Sequence, residues 1–283
     1  MKNILVLLSI LIAFSLQAQN LEKLSKEIND EGIALYRSEM ASWYGTDVFT
    51  ANYKNRENIG GYFSYIDEDV PKCIFFSKNS KVIGTISFPT NYNPKDANLD
   101  LKERDFTAVE QEYFTIRQNA MERIKTDTIF KSYENTSFNI VPLIQKNSKK
   151  VYVLTGPSVD NIVVFGNDYL LTFNNKNEVK NVERLHKTLI VQNINDNKVG
   201  KTVSGIHSHV IENWQTITPT DICTLMLYKH LTNWEGYITV SKKYTSIWNP
   251  NKVAIMKTED YKKMAENILE RNKEKSESET KAK

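Results

Sequence analysis

The amino-acid sequence predicts an α+β fold, a mixed and mainly antiparallel sheet with a few flanking helices. Three observations lead there. Apolar residues recur at helical spacing near the N-terminus and again after Thr107, among many charges. From Val151 to Trp248 the chain is mostly short β-branched and aromatic runs, divided by polar turns. No Gly/Ser-rich or Pro-rich linker separates these regimes, so one domain with an N-terminal elaboration accounts for both.

Taken in order, Met1–Gln19 reads as a secretory signal. Lys2 is the basic start, Ile4 to Leu16 the apolar stretch, and Ala18 the small residue at the cleavage position. The stretch falls short of the roughly 20 apolar residues that cross a bilayer, which disfavours an uncleaved anchor. A protein exported to the periplasm or beyond the cell is expected, with no membrane span. Leu21 to about Tyr44 reads as a helix closed by Gly45. Gly61–Ile66, Cys73–Ser77 and Lys81–Phe88 follow as strands. Thr107 and Glu110 make a capping box for a helix to about Lys125, with Val109, Tyr113, Ile116 and Ala120 inward.

In the second half, Val151–Thr155 reads as a strand ended by Gly156-Pro157. Asn161–Phe173 is extended but broken at Gly166-Asn167-Asp168, as a bulge or a tight turn. Val179–Val191 and Thr202–Val210 are extended, Pro219–Leu231 is helical, and Gly236–Trp248 holds one or two strands. The expected divisions are a signal at 1–18, a helix and strand region at 19–135, a β-rich core at 136–258 and a charged helical or disordered tail at 259–283.

Composition excludes several classes. Lys plus Arg is 37 against 34 for Asp plus Glu, a net +3 with dispersed basic residues, which argues against a nucleic-acid partner. Two cysteines rule out a thiolate zinc finger, and Cys73 and Cys223 are either a disulfide across a very long loop or two buried thiols. Phosphate loop, dinucleotide fingerprint and serine-hydrolase elbow are all missing.

Gly205-Ile206-His207-Ser208-His209 carries the chemistry. Residues i and i+2 of a strand share a face, so His207 and His209 project together as a pair of neutral nitrogen donors. Thr218-Pro219-Thr220-Asp221 opens the next helix and brings a carboxylate. Alone, Asp221 also suits a plain capping role. Together the three form a His₂Asp zinc site with a fourth position for water. His186 reads as an ordinary strand histidine, Asp168 as a turn residue and His230 as a helix C-terminal cation.

This constellation resembles the JAB/MPN (JAMM) zinc metalloproteases, whose motif is His-x-His-Pro followed by Ser-x-x-Asp at a helix start, with an upstream glutamate. Thr218 stands at the serine and Val210 at the proline, and the similarity spans Thr202 to Trp248. The resemblance implies a JAMM-like core, Zn²⁺ on His207, His209 and Asp221, and an oxyanion role for Thr218. Glu39 is the foremost choice as general base, ahead of Glu110, Glu112 and Glu122. Hydrolysis of a peptide or isopeptide amide in a protein substrate is the implied activity. The alternative is a non-catalytic exported binding protein on the same scaffold.

Overall fold

The computed structural model describes residues 2–146, 148–194, 204–232, 234–250 and 252–281, with side chains from 19 to 274 within that set. It is an α+β protein whose sheets are mainly antiparallel. The chain divides into two compact units. Asp30–Lys201 and Thr218–Asn233 make the larger; Met1–Asn29, Thr202–Ile217 and Trp234–Lys283 make the smaller.

Helix α1 (Lys2–Asn52), which belongs to the larger unit from Asp30 onward, runs past Gly45 instead of ending there. A Cβ at Gly45 would stand 2.6 Å from the Cβ of Cys73, so the glycine brings the helix close to the sheet. That sheet is an antiparallel meander of β1 (Ile59–Asp67), β2 (Val70–Ser77), β3 (Val82–Ser87) and β4 (Asn98–Asp100). Glu68 and Asp69, both at positive φ, make the tight β1–β2 turn. Phe49 stacks on Phe75 at 3.9 Å in a cluster with Ala41, Cys73, Ile83 and Ile86. Cys73 and Cys223 are separate buried thiols.

Helix α2 (Ala108–Thr126) begins at the expected Thr107–Glu110 capping box. Tyr113, Ile116 and Ala120 face inward, but Val109 is 52 % exposed. The buried position of that first turn goes to Glu110, which caps Thr107 and takes a forked pair of bonds from Arg104 at 2.6 and 2.7 Å. Ile116 and Ala120 pack on a second antiparallel sheet. It is formed by β5 (Thr136–Gln145) and β6 (Ser148–Pro157), which runs through Gly156-Pro157, with two strands that follow.

β7 (Ile162–Gly166) and β8 (Tyr169–Phe173) flank the Gly166-Asn167-Asp168 break. They do not form a hairpin: β8 joins β6 and β9 (Val179–Arg184), while β7 pairs with β10 (Leu189–Asn193). Gly166 and Asn167 hold positive φ, +82° and +56°, and turn the chain between the two sheets.

The smaller unit contains a sheet ordered β11 (Ser204–Ser208), β12, β13, β14. The larger unit's α3 (Pro219–Thr232) intervenes in sequence before β12 (Gly236–Val240), β13 (Tyr244–Asn249) and β14 (Lys252–Lys257). β11 runs parallel to β12; the other pairs are antiparallel. Residues 202 and 203 of the expected strand lie outside the described residues, and β11 ends at Ser208. The charged C-terminal segment forms α4 (Thr258–Lys281). Among the described residues, no helix is long and apolar enough to cross a membrane.

Candidate metal centre

The smaller unit supplies two imidazoles. His207 lies in register with Thr239 of β12, and the His209 N–H donates to the Val240 carbonyl at 2.8 Å, which continues the ladder past the strand end. Both side chains therefore project from one face. Their rings are stacked with centroids 4.9 Å apart, and the two Nε2 atoms are 3.0 Å apart. Gly205 makes room for this arrangement, because a Cβ there would meet the Tyr237 ring at 2.4 Å. The Tyr237 hydroxyl in turn stands 3.3 Å from His207 Nδ1.

His209 Nδ1 lies 2.7 Å from the Thr216 carbonyl, an acceptor only, so Nδ1 carries the proton and Nε2 the lone pair. In the metal-free protein His207 Nε2–H then donates to His209 Nε2, and Tyr237 O–H donates to His207 Nδ1. Metal binding needs only that His207 move its proton to Nδ1, where the tyrosine oxygen accepts it.

In the larger unit, Thr218 and Asp221 open α3. The Asp221 Oδ2 accepts from Thr218 N–H and from the Thr218 hydroxyl, each at 2.8 Å, while Asp221 N–H donates to Thr218 Oγ1 at 3.2 Å. Asp221 Oδ1 points elsewhere and stands 3.1 Å from His186 Nε2. His186 follows β9 at the entry to β10. Gly166 permits its approach, since a Cβ there would sit 2.3 Å from the Thr188 carbonyl and 3.2 Å from His186 Cβ. Behind the ring, Asp168 Oδ2 is 3.5 Å from His186 Nδ1, an ionic contact at the long edge of hydrogen bonding. Asp168 is held by the Thr155 N–H at 2.8 Å and by its own carbonyl, which accepts from Leu185 N–H.

Burial raises the Asp168 carboxyl to about 6 against the opposing pull of His186 and the Thr155 amide. For His186 burial disfavours the charged ring, but Asp221 and Asp168 outweigh it and hold its pKa above the ordinary value.

His186, His207, His209 and Asp221 are all buried and could serve as donors to a metal ion. The donor set fits a zinc ion. Nitrogens bound at about 2.0–2.1 Å to a tetrahedral zinc stand roughly 3.3 Å apart, close to the imidazole pair here. Three imidazole nitrogens and a carboxylate oxygen also suit other divalent transition metals, so the elements alone leave the metal's identity open.

Of the sequence-predicted ligands, His207 and His209 stand together in the smaller unit, and in the larger unit Asp221 stands beside His186. No spacing rule pointed to His186; the only signal was a polar ring after the apolar Leu185 where an extended run is interrupted. The Thr218 hydroxyl is engaged in the helix cap. Glu39 lies outside the group, in a separate cavity with Asn139 and Arg117. Glu110, Glu112 and Glu122 pair with Arg104, Lys149 and Lys125. Comparisons with protein-family models, with curated proteins and with solved structures find no match to this chain.

Proposed function

We propose that this chain is an exported zinc-dependent hydrolase of peptide or isopeptide amides. The observation that carries the reading is the buried imidazole pair, His207 and His209, whose Nε2 atoms stand 3.0 Å apart. His207, His209 and Asp221 would hold the ion, as the JAMM resemblance implies. Zinc there would polarise the amide carbonyl and acidify the water. His186 would be the proton carrier: backed at Nδ1 by Asp168, the ring in its neutral form would take a proton from water and pass it to the departing amine. It replaces Glu39, which lies outside the group. Lys2, the apolar run after it and Ala18 support export to the periplasm or the medium.

One observation favours a second reading. His186 Nε2 stands 3.1 Å from Asp221 Oδ1; if His186 is itself a ligand, four protein donors would complete the shell of a structural zinc, and the chain would be a non-catalytic binding protein. His186→Ala separates the two. Under the hydrolase reading the variant keeps its zinc while hydrolysis of a fluorogenic unfolded casein falls about 10²–10⁴-fold. Loss of zinc from His186→Ala, together with no chelator-sensitive hydrolysis by the wild type, would establish the binding protein instead.

A further inference from the structure

A second polar site lies within the larger unit, made by residues that the metal reading does not use. α1 contributes Ser38 and Glu39, β1 contributes Tyr62, α2 contributes Arg117 and β5 contributes Asn139, all around a cavity of about 60 Å³. Arg117 is the anomaly in this lining. Its guanidinium is charged throughout the pH range in which proteins fold. Yet its Nε is buried with no hydrogen-bond partner, and its Nη1 donates at 2.9 Å to the Met121 Sδ, a weak acceptor. Among the described residues it makes no ion pair, and burial pushes its pKa down. A partly buried cation that lacks a counter-charge is costly to fold around, because desolvation is not offset by attraction.

Glu39 does not supply that counter-charge. Burial drives its carboxyl up to about 7 against the opposing pull of the Asn139 amide, so it keeps its proton in mildly acidic solution. The cavity therefore presents a fixed cation and several neutral polar groups, and is short of one negative charge. One water-sized probe needs roughly 10–15 Å³ of such space, so the void admits a ligand of about four heavy atoms. A planar anion of that size matches the fork of a guanidinium.

We propose that this cavity is a binding site for a small monocarboxylate of formate or acetate size, held by the Arg117 guanidinium with the Asn139 amide and the Glu39 carboxyl beside it. Calorimetric titration of the full chain with sodium acetate, at constant ionic strength in chloride near pH 6, tests this. The wild type is expected to bind one acetate saturably. Arg117→Gln should weaken binding at least tenfold, and so should Arg117→Lys, which keeps the charge, and with it the fold, but loses the fork. Zinc content should not change in either variant, so failure here is distinguishable from failure of the metal reading. No saturable heat in the wild type, equal affinity in the folded Lys variant, or competition by chloride as strong as by formate would each overturn the proposal.

Discussion

At Asp221 the two carboxylate oxygens point in different directions: Oδ2 closes the α3 capping box with Thr218, and Oδ1 faces His186 Nε2. The structural and the chemical roles, which looked like rivals in the sequence, coexist on one side chain. They can be pulled apart by substitution. Asp221→Asn retains an oxygen for the cap, whereas Asp221→Ala loses it, at a typical cost of about 1 kcal/mol. Both variants lose the anionic donor. Zinc analysis should find both depleted, and urea denaturation of the metal-free proteins should find only the alanine variant destabilised. Equal stability of the two would show that Oδ2 contributes nothing to α3. Other residues were less legible. His207 and His209 declared themselves by i, i+2 spacing, but His186 has no such partner in sequence, and its neighbour Asp168 reads as turn chemistry. Val109 fitted the helical period, yet the first turn of α2 gave its inward place to Glu110.

Among the elements, α3 was readable because Thr218-Pro219 fixes its start, and α2 because Thr107 and Glu110 form a capping box. Glycines misled where their role is packing. Gly45 was expected to stop α1, but it lies inside the helix with Cys73 against it. β5 was not recognisable because Pro142 interrupts its apolar run. It lies at the edge of the order β5-β6-β8-β9, a place where a missing N–H is tolerated. The Gly166-Asn167 break was legible as a turn. Its consequence was not, since the positive φ values send β7 and β8 to different partners and so place His186 beside Asp168.

On the scale of the whole molecule, the α+β class was legible, but the division into two units was not. Each unit is assembled from separated segments, so no linker composition marks a boundary along the chain. Stability should also carry a signature of the buried Glu39. Its pKa in the folded state is about 7 against an ordinary 4.5, so the unfolded chain releases this proton first as pH rises. The folded state is then most favoured below about pH 4.5, loses ground between 4.5 and 7, and levels off above. The integrated loss is about 3 kcal/mol. In paired urea titrations at pH 5 and pH 8, Glu39→Gln should lack that share of the decline, and identical slopes in both proteins would remove Glu39 as its source.

The most direct measurement is metal stoichiometry. Purified wild type, stripped and reconstituted with zinc, should hold one ion per chain after dialysis, and His207→Ala, His209→Ala and Asp221→Ala should hold essentially none while keeping wild-type circular dichroism. A wild type that retains no zinc, or alanine variants that retain it undiminished, would contradict the claim that these side chains converge on a common ion.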